Sequence, residues 1–68
     1  MTIVDTTVYK SFVFIVEDGD HEYEVRCNEG DIYDDWEIKD AKSFDVISND
    51  SELGKEIIEM CSEEKLMS

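Results

Sequence analysis

Strand-forming runs of β-branched and aromatic residues occupy the first two thirds of the chain, and a helical pattern occupies the last third. Residues 7–17, TVYKSFVFIVE, are rich in the side chains that strands favour. One face of this run holds Phe12, Phe14 and Val16, and the other holds Tyr9, Val13 and Ile15. We therefore predict a strand over residues 7–17 that is central in its sheet, or whose second face meets a partner.

Two further strands are predicted after turns of hairpin length. Residues 22–28 alternate between apolar and polar side chains, which is typical of a strand with one buried face. The inward side chains are Tyr23, Val25 and Cys27. In residues 34–48 the apolar side chains fall at even-numbered positions, so they would share one face of an extended strand. They are Trp36, Ile38, Phe44 and Val46. This parity favours one strand bent near residues 40–42 over two short strands, and it places Trp36 in the core.

A helix is predicted over residues 50–66. Its apolar side chains recur at i, i+4, i+7 and i+8, and they are Leu53, Ile57, Met60 and Cys61. Asn49 and Asp50 suit the N-cap, and Gly54 weakens the first turn by about 1 kcal/mol relative to alanine. The chain is thus predicted to be a single α+β domain over residues 1–68. Its architecture is a three-stranded, or four-stranded, antiparallel meander with a C-terminal helix on one face (β-β-β-α).

The charge of the chain changes the picture most. The chain contains nineteen Asp and Glu residues but only six Lys and Arg residues, for a net charge of −13. Residues 17–40 contain eleven of the acids and two of the bases, so their net charge is −9. An adaptation for solubility or high salt would spread the acids evenly, whereas these are clustered. We expect a basic protein surface as the partner, no direct binding to nucleic acid, and no binding to membranes.

The residues that could carry chemistry argue against an enzyme. Zinc needs three or four nitrogen or sulfur ligands, but the chain has one histidine and two distant cysteines, Cys27 and Cys61. A calcium loop counted from Asp18 or Asp31 lacks the required glycine at its sixth position. His21 lies in a predicted turn, away from any cysteine that it could activate. We expect no catalytic residue, no metal and no cofactor.

Nothing in the pattern indicates secretion or a membrane span. The N-terminus lacks the basic and apolar regions of a signal peptide, and the longest apolar run, FVFIV, is far too short to cross a bilayer. We expect a cytoplasmic protein, either a monomer or a homodimer. Its two cysteines are expected to be reduced thiols, and a single disulfide between them is the alternative.

Regular spacing makes the acids a candidate binding surface. Glutamates at i, i+4, i+7 and i+11 form a ridge on the helix, about 4.5–6 Å apart along its axis. Acids two positions apart on a strand are about 6.6–6.8 Å apart. These spacings resemble those of nucleic-acid phosphates, although any acidic amphipathic helix has such a solvated flank. Tyr33 adds an exposed aromatic anchor. The candidate partner-binding residues are Glu22, Glu24, Glu29, Asp31, Tyr33, Asp34, Asp35, Glu37, Glu52, Glu56, Glu59 and Glu63.

The acid arrays Glu22–Glu24, Glu29–Asp40 and Glu52–Glu63 give the chain a resemblance to a known group of proteins. In length, charge and these arrays it resembles the small acidic nucleic-acid mimics of bacteriophages and mobile elements, such as anti-restriction and anti-CRISPR inhibitors. The resemblance involves no signature motif. It implies a non-enzymatic inhibitor that occupies the basic groove of a nuclease or of another DNA- or RNA-binding protein, in the host cytoplasm for a phage protein.

A second hypothesis comes from a different class of function. The apolar second face of the first strand, formed by Tyr9, Val13 and Ile15, is typical of a surface that becomes buried by association. The chain would then be a small structural or assembly subunit, a homodimer or a component of a larger complex, and the acids would only keep it soluble.

Overall fold

The computed structural model describes residues 1–67 and shows a five-stranded antiparallel sheet followed by one helix. Neighbouring strands in the sheet follow the chain order, so the sheet is a meander from β1 to β5. The elements are β1 (Thr2–Val8), β2 (Phe12–Asp18), β3 (His21–Asn28), β4 (Asp35–Asp40), β5 (Val46–Ile47) and α1 (Glu52–Met67). The predicted α+β class, antiparallel meander and C-terminal helix are confirmed. The sheet has five strands rather than three or four.

The prediction of one strand over residues 7–17 is wrong because the chain folds back in the middle of this run. β1 pairs antiparallel with β2, which places Val8 opposite Phe12. The turn between them is closed by a 3.1 Å hydrogen bond from the amide of Tyr9 to the carbonyl of Ser11. The polar pair Lys-Ser that interrupts the apolar run marks this turn.

The single bent strand predicted over residues 34–48 is also wrong, and the alternative of two short strands is the one observed. β4 and β5 are antiparallel neighbours joined by a turn at residues 41–45. The amide of Phe44 donates a 2.9 Å hydrogen bond to the carbonyl of Asp40. Phe44 has a φ of 63°, in the left-handed region that bulky residues rarely adopt. A residue in that conformation reverses the chain, so an extended strand cannot continue through it.

The left-handed turn also changes which side chains face the core. Phe44 and Val46 were predicted to point inward, but they are 68% and 82% exposed. Ile47, which lies opposite Ile38 in the sheet, faces the core instead. The β2–β3 hairpin reverses at Gly19 with a φ of 61°, so the chain uses glycine for one left-handed turn and phenylalanine for the other.

The carboxylate of Asp40 organises the β4–β5 turn. Its Oδ1 accepts hydrogen bonds from the amides of Lys42, at 2.8 Å, and Ser43, at 3.0 Å. These amide bonds, the Ser43 bond first, hold the pKa of the Asp40 carboxyl below its ordinary value of 3.8.

We expect Asp40→Asn to destabilise the protein at neutral pH and to lose this effect in acid. A lowered folded-state pKa stabilises the fold fully above the unfolded-state pKa, and this contribution disappears as the pH falls through the folded-state value. The difference in unfolding free energy between wild type and Asp40→Asn should therefore be constant above about pH 5 and shrink below about pH 4. Urea denaturation at several pH values measures it. Asp20→Asn, in an exposed turn, is the control, and a difference that persists unchanged to pH 3 would contradict the assignment.

The core lies between one face of the sheet and the helix. Its fully or almost fully buried side chains are Phe14, Val16, Tyr23, Val25, Cys27, Ile38, Ile57 and Cys61. The predicted inward side of β3 and the predicted apolar stripe of the helix are both part of this core. Trp36 is not at its centre: the indole is half-buried at the periphery, stacked on Phe14 with ring centroids 6.4 Å apart.

The helix begins one position later than its predicted caps. Ser51 is the N-cap, because its Oγ accepts a 3.0 Å hydrogen bond from the amide of Gly54. Ser51 also donates from Oγ to the carbonyl of Ser48 at 2.6 Å, which ties the cap to the preceding segment. Asn49, predicted as a cap, instead donates a 2.8 Å hydrogen bond from Nδ2 to the carbonyl of Trp36 and joins this segment to β4.

Candidate functional site

Four of the predicted binding residues lie on the open face of the sheet, the face opposite to the helix. Successive side chains of a strand point to opposite faces, and the other set on β3 is buried under the helix. Asp35 and Glu37 are exposed there, whereas Glu22 and Glu24 are half-buried. Glu22 lies directly opposite Glu17 of β2, and such like-charged cross-strand pairs are destabilising. The Glu17–Glu22 pair is therefore not arranged for stability.

Two basic side chains interrupt the acids on the open face. Lys39 lies opposite Glu24 across the strands, with its Nζ 3.6 Å from Oε1. Arg26 lies opposite Glu37 and reaches the same Glu24 oxygen at 3.9 Å. These four side chains line an open depression of about 500 Å³ beside β5. The centre of the open face thus carries both charges.

The loop between β3 and β4, residues 29–34, contains four further predicted residues, and its two ends are held by one lysine. The Nζ of Lys65, in the last turn of the helix, lies 2.8 Å from Oδ2 of Asp34 and 3.1 Å from Oε2 of Glu29. The ammonium also sits 5.3 Å from the centre of the Phe12 ring. We call this arrangement the Lys65 clamp. It joins the helix to both ends of the loop.

The lysine of the Lys65 clamp is less exposed than its two acidic partners, Asp34 at 34% and Glu29 at 61%. The lysine side chain is only 15% exposed, so solvent screens it less than it would a surface pair. The hydrogen bond to Asp34, followed by the bond to Glu29, raises the pKa of Lys65 above its usual 10.5, although burial acts in the opposite direction. Because the pKa of Lys65 is raised by folding, the contribution of its charge to the stability of the fold is complete at neutral pH. That contribution is lost only as the pH rises through the folded-state pKa.

The middle of the clamped loop presents two large apolar side chains to solvent. Tyr33 is 77% exposed, as its position among acids predicted, and its neighbour Ile32 is 93% exposed. Gly30 lets the loop fold back tightly, because a Cβ at this position would overlap the carbonyl oxygen of Tyr33. Ile32 was missed as a candidate, although the apolar pair in GDIYDD is visible in the sequence. No sequence signal could have found the clamp, because its partners are 31 and 36 positions apart.

The acidic ridge on the helix forms a third surface. Its members Glu52, Glu56, Glu59 and Glu63 are all exposed. The last three border a shallow depression that also includes Met1 and Met60. Because the helix covers one face of the sheet, this ridge and the open-face acids lie on opposite sides of the molecule. The predicted residues are therefore divided among the open face, the clamped loop and the ridge.

Three groups with potential for chemistry are two cysteines and a histidine. Cys27 and Cys61 are buried free thiols. Burial raises the pKa of both, and that of Cys61 reaches about 12, so both are protonated and weakly nucleophilic at neutral pH. His21 is exposed at the β2–β3 turn, with Nδ1 4.0 Å from Asp40. Within residues 1–67, no three His, Cys, Asp or Glu side chains come together in a way that could hold a metal ion.

Searches against protein-family models, curated proteins and solved structures found no match for this chain. The fold and the surfaces define it as an acidic α+β domain, a five-stranded meander with one helix. The helix found within residues 1–67 is not long and apolar enough to cross a membrane.

Proposed function

We propose that this chain is a non-enzymatic acidic binding protein, a nucleic-acid mimic that inhibits a DNA- or RNA-binding protein or a nuclease by occupying its basic groove. The observation that carries the proposal is the net charge of −9 on residues 17–40, which lie in consecutive strands and the clamped loop. This net charge already includes Arg26 and Lys39, which both contact Glu24, and the Lys65 clamp adds one further cation at the loop. Like-charged neighbours such as Glu17 and Glu22 support selection for binding rather than stability.

Competition with nucleic acid tests this function. The immobilised chain should capture nucleic-acid-binding proteins from a bacterial lysate at low salt, and added duplex DNA or RNA should release them. Complementary potentials make such complexes fast to form and sensitive to salt, so capture should fall steeply as salt approaches physiological strength. Failure to capture any nucleic-acid-binding protein at low salt would count against the proposal.

Charge reversal distinguishes between the acidic surfaces. We expect Asp31→Lys, Asp35→Lys and Glu37→Lys together to abolish capture and to leave the chain folded, because these side chains are exposed and make no ion pair with Lys65. Reversal of Glu37, which lies opposite Arg26, should cost about 0.2–1 kcal/mol of stability. Asp34 is left unchanged because reversing it would break the Lys65 clamp. Capture assays and thermal melting measure the two effects.

The matched control has the same change of charge on the ridge. Glu56→Lys, Glu59→Lys and Glu63→Lys also reverse three exposed acids, but on the opposite side of the molecule. We expect this variant to keep more binding than the loop and open-face variant. If the ridge variant alone abolishes capture, the binding surface is the ridge.

The second candidate function, an assembly subunit, is favoured by the open face. Val13 and Ile15 of β2 are half-buried there, and no helix within residues 1–67 covers them. Tyr9, predicted on the same face, lies in the β1–β2 turn and is 85% exposed. The mixed charges beside β2 could pair with their own copies across a two-fold axis, as isologous interfaces require.

Light scattering at increasing concentration tests the homodimer. If the chain is an assembly subunit, we expect wild type to be a dimer and Ile15→Glu to be a monomer, since a charge at the centre of an apolar interface cannot be hydrated. A wild-type chain that stays monomeric at millimolar concentration removes this candidate.

A further inference from the structure

We propose that Ile32 and Tyr33, held outward by the Lys65 clamp, are the apolar anchor of the interface with a basic protein partner. The inference rests on the proposed function, since it specifies how an acidic binding protein contacts its target. Ile32 is the most exposed large apolar residue of the described chain, at 93%, and Tyr33 is 77% exposed. Large apolar and aromatic side chains at the centre of a polar rim are the residues that dominate binding energy in protein interfaces.

The loop holds this pair in place before a partner arrives. Lys65 contacts Glu29 at one end of the loop and Asp34 at the other. The close approach of Gly30 to the carbonyl of Tyr33 folds the middle of the loop back on itself. A loop that is already ordered loses less conformational entropy on binding, and this raises affinity. The clamp therefore acts on binding by positioning Ile32 and Tyr33, although the largely buried Lys65 does not itself face the partner.

The charges around the pair specify the chemistry of the partner. The exposed carboxylates of Asp31 and Asp35 flank Ile32 and Tyr33, and they border the same shallow depression. The complementary surface is an apolar pocket with lysines and arginines at its rim. A second copy of this chain does not fit, since the acids of the two loops would repel each other. The basic groove of the proposed target must therefore contain an apolar pocket as well as cations that bind phosphates, because cations alone offer nothing for Ile32 to contact.

Two peptide probes test the anchor. One is an amphipathic lysine–leucine helix, and the other has the same length and charge with serine in place of leucine. Isothermal titration at low salt should show the wild-type chain binding the lysine–leucine peptide about tenfold more tightly than the lysine–serine peptide. Ile32→Ser with Tyr33→Ser should abolish this preference and leave binding of the lysine–serine peptide unchanged. Tyr9→Ser removes an equally exposed aromatic elsewhere and should retain the preference.

Lys65→Met separates the clamp from simple charge attraction. Methionine keeps the apolar stem but removes the cation, so the net charge becomes one unit more negative. Charge attraction alone predicts tighter binding of both peptides, whereas loss of the clamp predicts weaker binding of the lysine–leucine peptide. Lys65→Arg should restore the preference. Backbone amide relaxation of residues 30–33 should show increased motion in Lys65→Met and not in Lys65→Arg.

The outcomes separate the anchor from the proposed function. Equal binding of the two peptides by wild type, or an equal loss of preference in Tyr9→Ser, overturns the anchor and leaves an acidic binding protein. Tighter binding of the lysine–leucine peptide by Lys65→Met overturns the role of the clamp. Absence of binding to either peptide at low salt overturns the anchor and the acidic binding function together.

Discussion

Gly54→Ala is expected to destabilise the protein by about 2–3 kcal/mol, although alanine is the better helix former by about 1 kcal/mol. Gly54 is buried where the helix crosses the segment before it. A Cβ at this position would overlap the carbonyl oxygen of Ser48 and lie 3.1 Å from the Cα of Asn49. These are backbone atoms held by the Ser51 cap and by the bond from Asn49 to β4, so they cannot move without breaking hydrogen bonds.

Urea denaturation followed by Trp36 fluorescence measures this effect, because the indole stacks on Phe14 and becomes solvated on unfolding. Glu56→Ala is the control in the same helix. It is exposed and removes an acid from a like-charged ridge, so it should leave stability unchanged or raise it by a few tenths of a kcal/mol. A Gly54→Ala variant that gains stability as this control does would show that the helix does not approach the Ser48 backbone.

Ile57→Ala is expected to cost about 3–4 kcal/mol, the range found when a fully buried aliphatic side chain is truncated. Ile57 has no exposed surface and, with Cys61, is the deepest contribution of the helix to the core. A chain of 68 residues has a total stability of roughly 3–10 kcal/mol, so the variant should lose a large share of its stability and unfold at a markedly lower temperature than wild type. Thermal melting by circular dichroism measures the shift.

The matched control is Ile32→Ala, which removes the same atoms from a side chain that is 93% exposed. It should change the free energy of unfolding by less than about 0.5 kcal/mol. If the two isoleucine variants have the same stability, the helix does not pack on the sheet as described.

The hydrophobic pattern of the sequence correctly predicted those features of the fold that depend only on residues close together in the chain. The alternation in residues 22–28 correctly assigned the buried side of β3, and the i, i+4, i+7, i+8 spacing correctly assigned the buried stripe of the helix. Turns without glycine were missed. Residues 9–11 and Phe44 interrupt runs that otherwise look continuous. The first turn is marked only by its polar Lys-Ser pair, and a bulky residue in the left-handed conformation has no compositional signal.

The site was predictable only as a set of exposed residues. The acids of the ridge and Asp35 and Glu37 are exposed, as their spacing indicated, but spacing could not show that they occupy opposite sides of the sheet. It also could not show which acids are paired. Glu29 and Asp34 looked equivalent to Asp31, yet they hold Lys65, whereas Asp31 faces solvent.

The sequence by itself determined the α+β class, the C-terminal helix and the excess of negative charge, because periodicity and net charge are local or additive properties of the chain. The tertiary structure alone decided that the helix must carry glycine at position 54 and that Lys65 joins the two ends of the β3–β4 loop. It also decided that Arg26 and Lys39 both reach the same carboxylate oxygen of Glu24. Each of these depends on atoms brought together from distant positions by strand register and helix placement, and no pattern within one segment specifies such contacts.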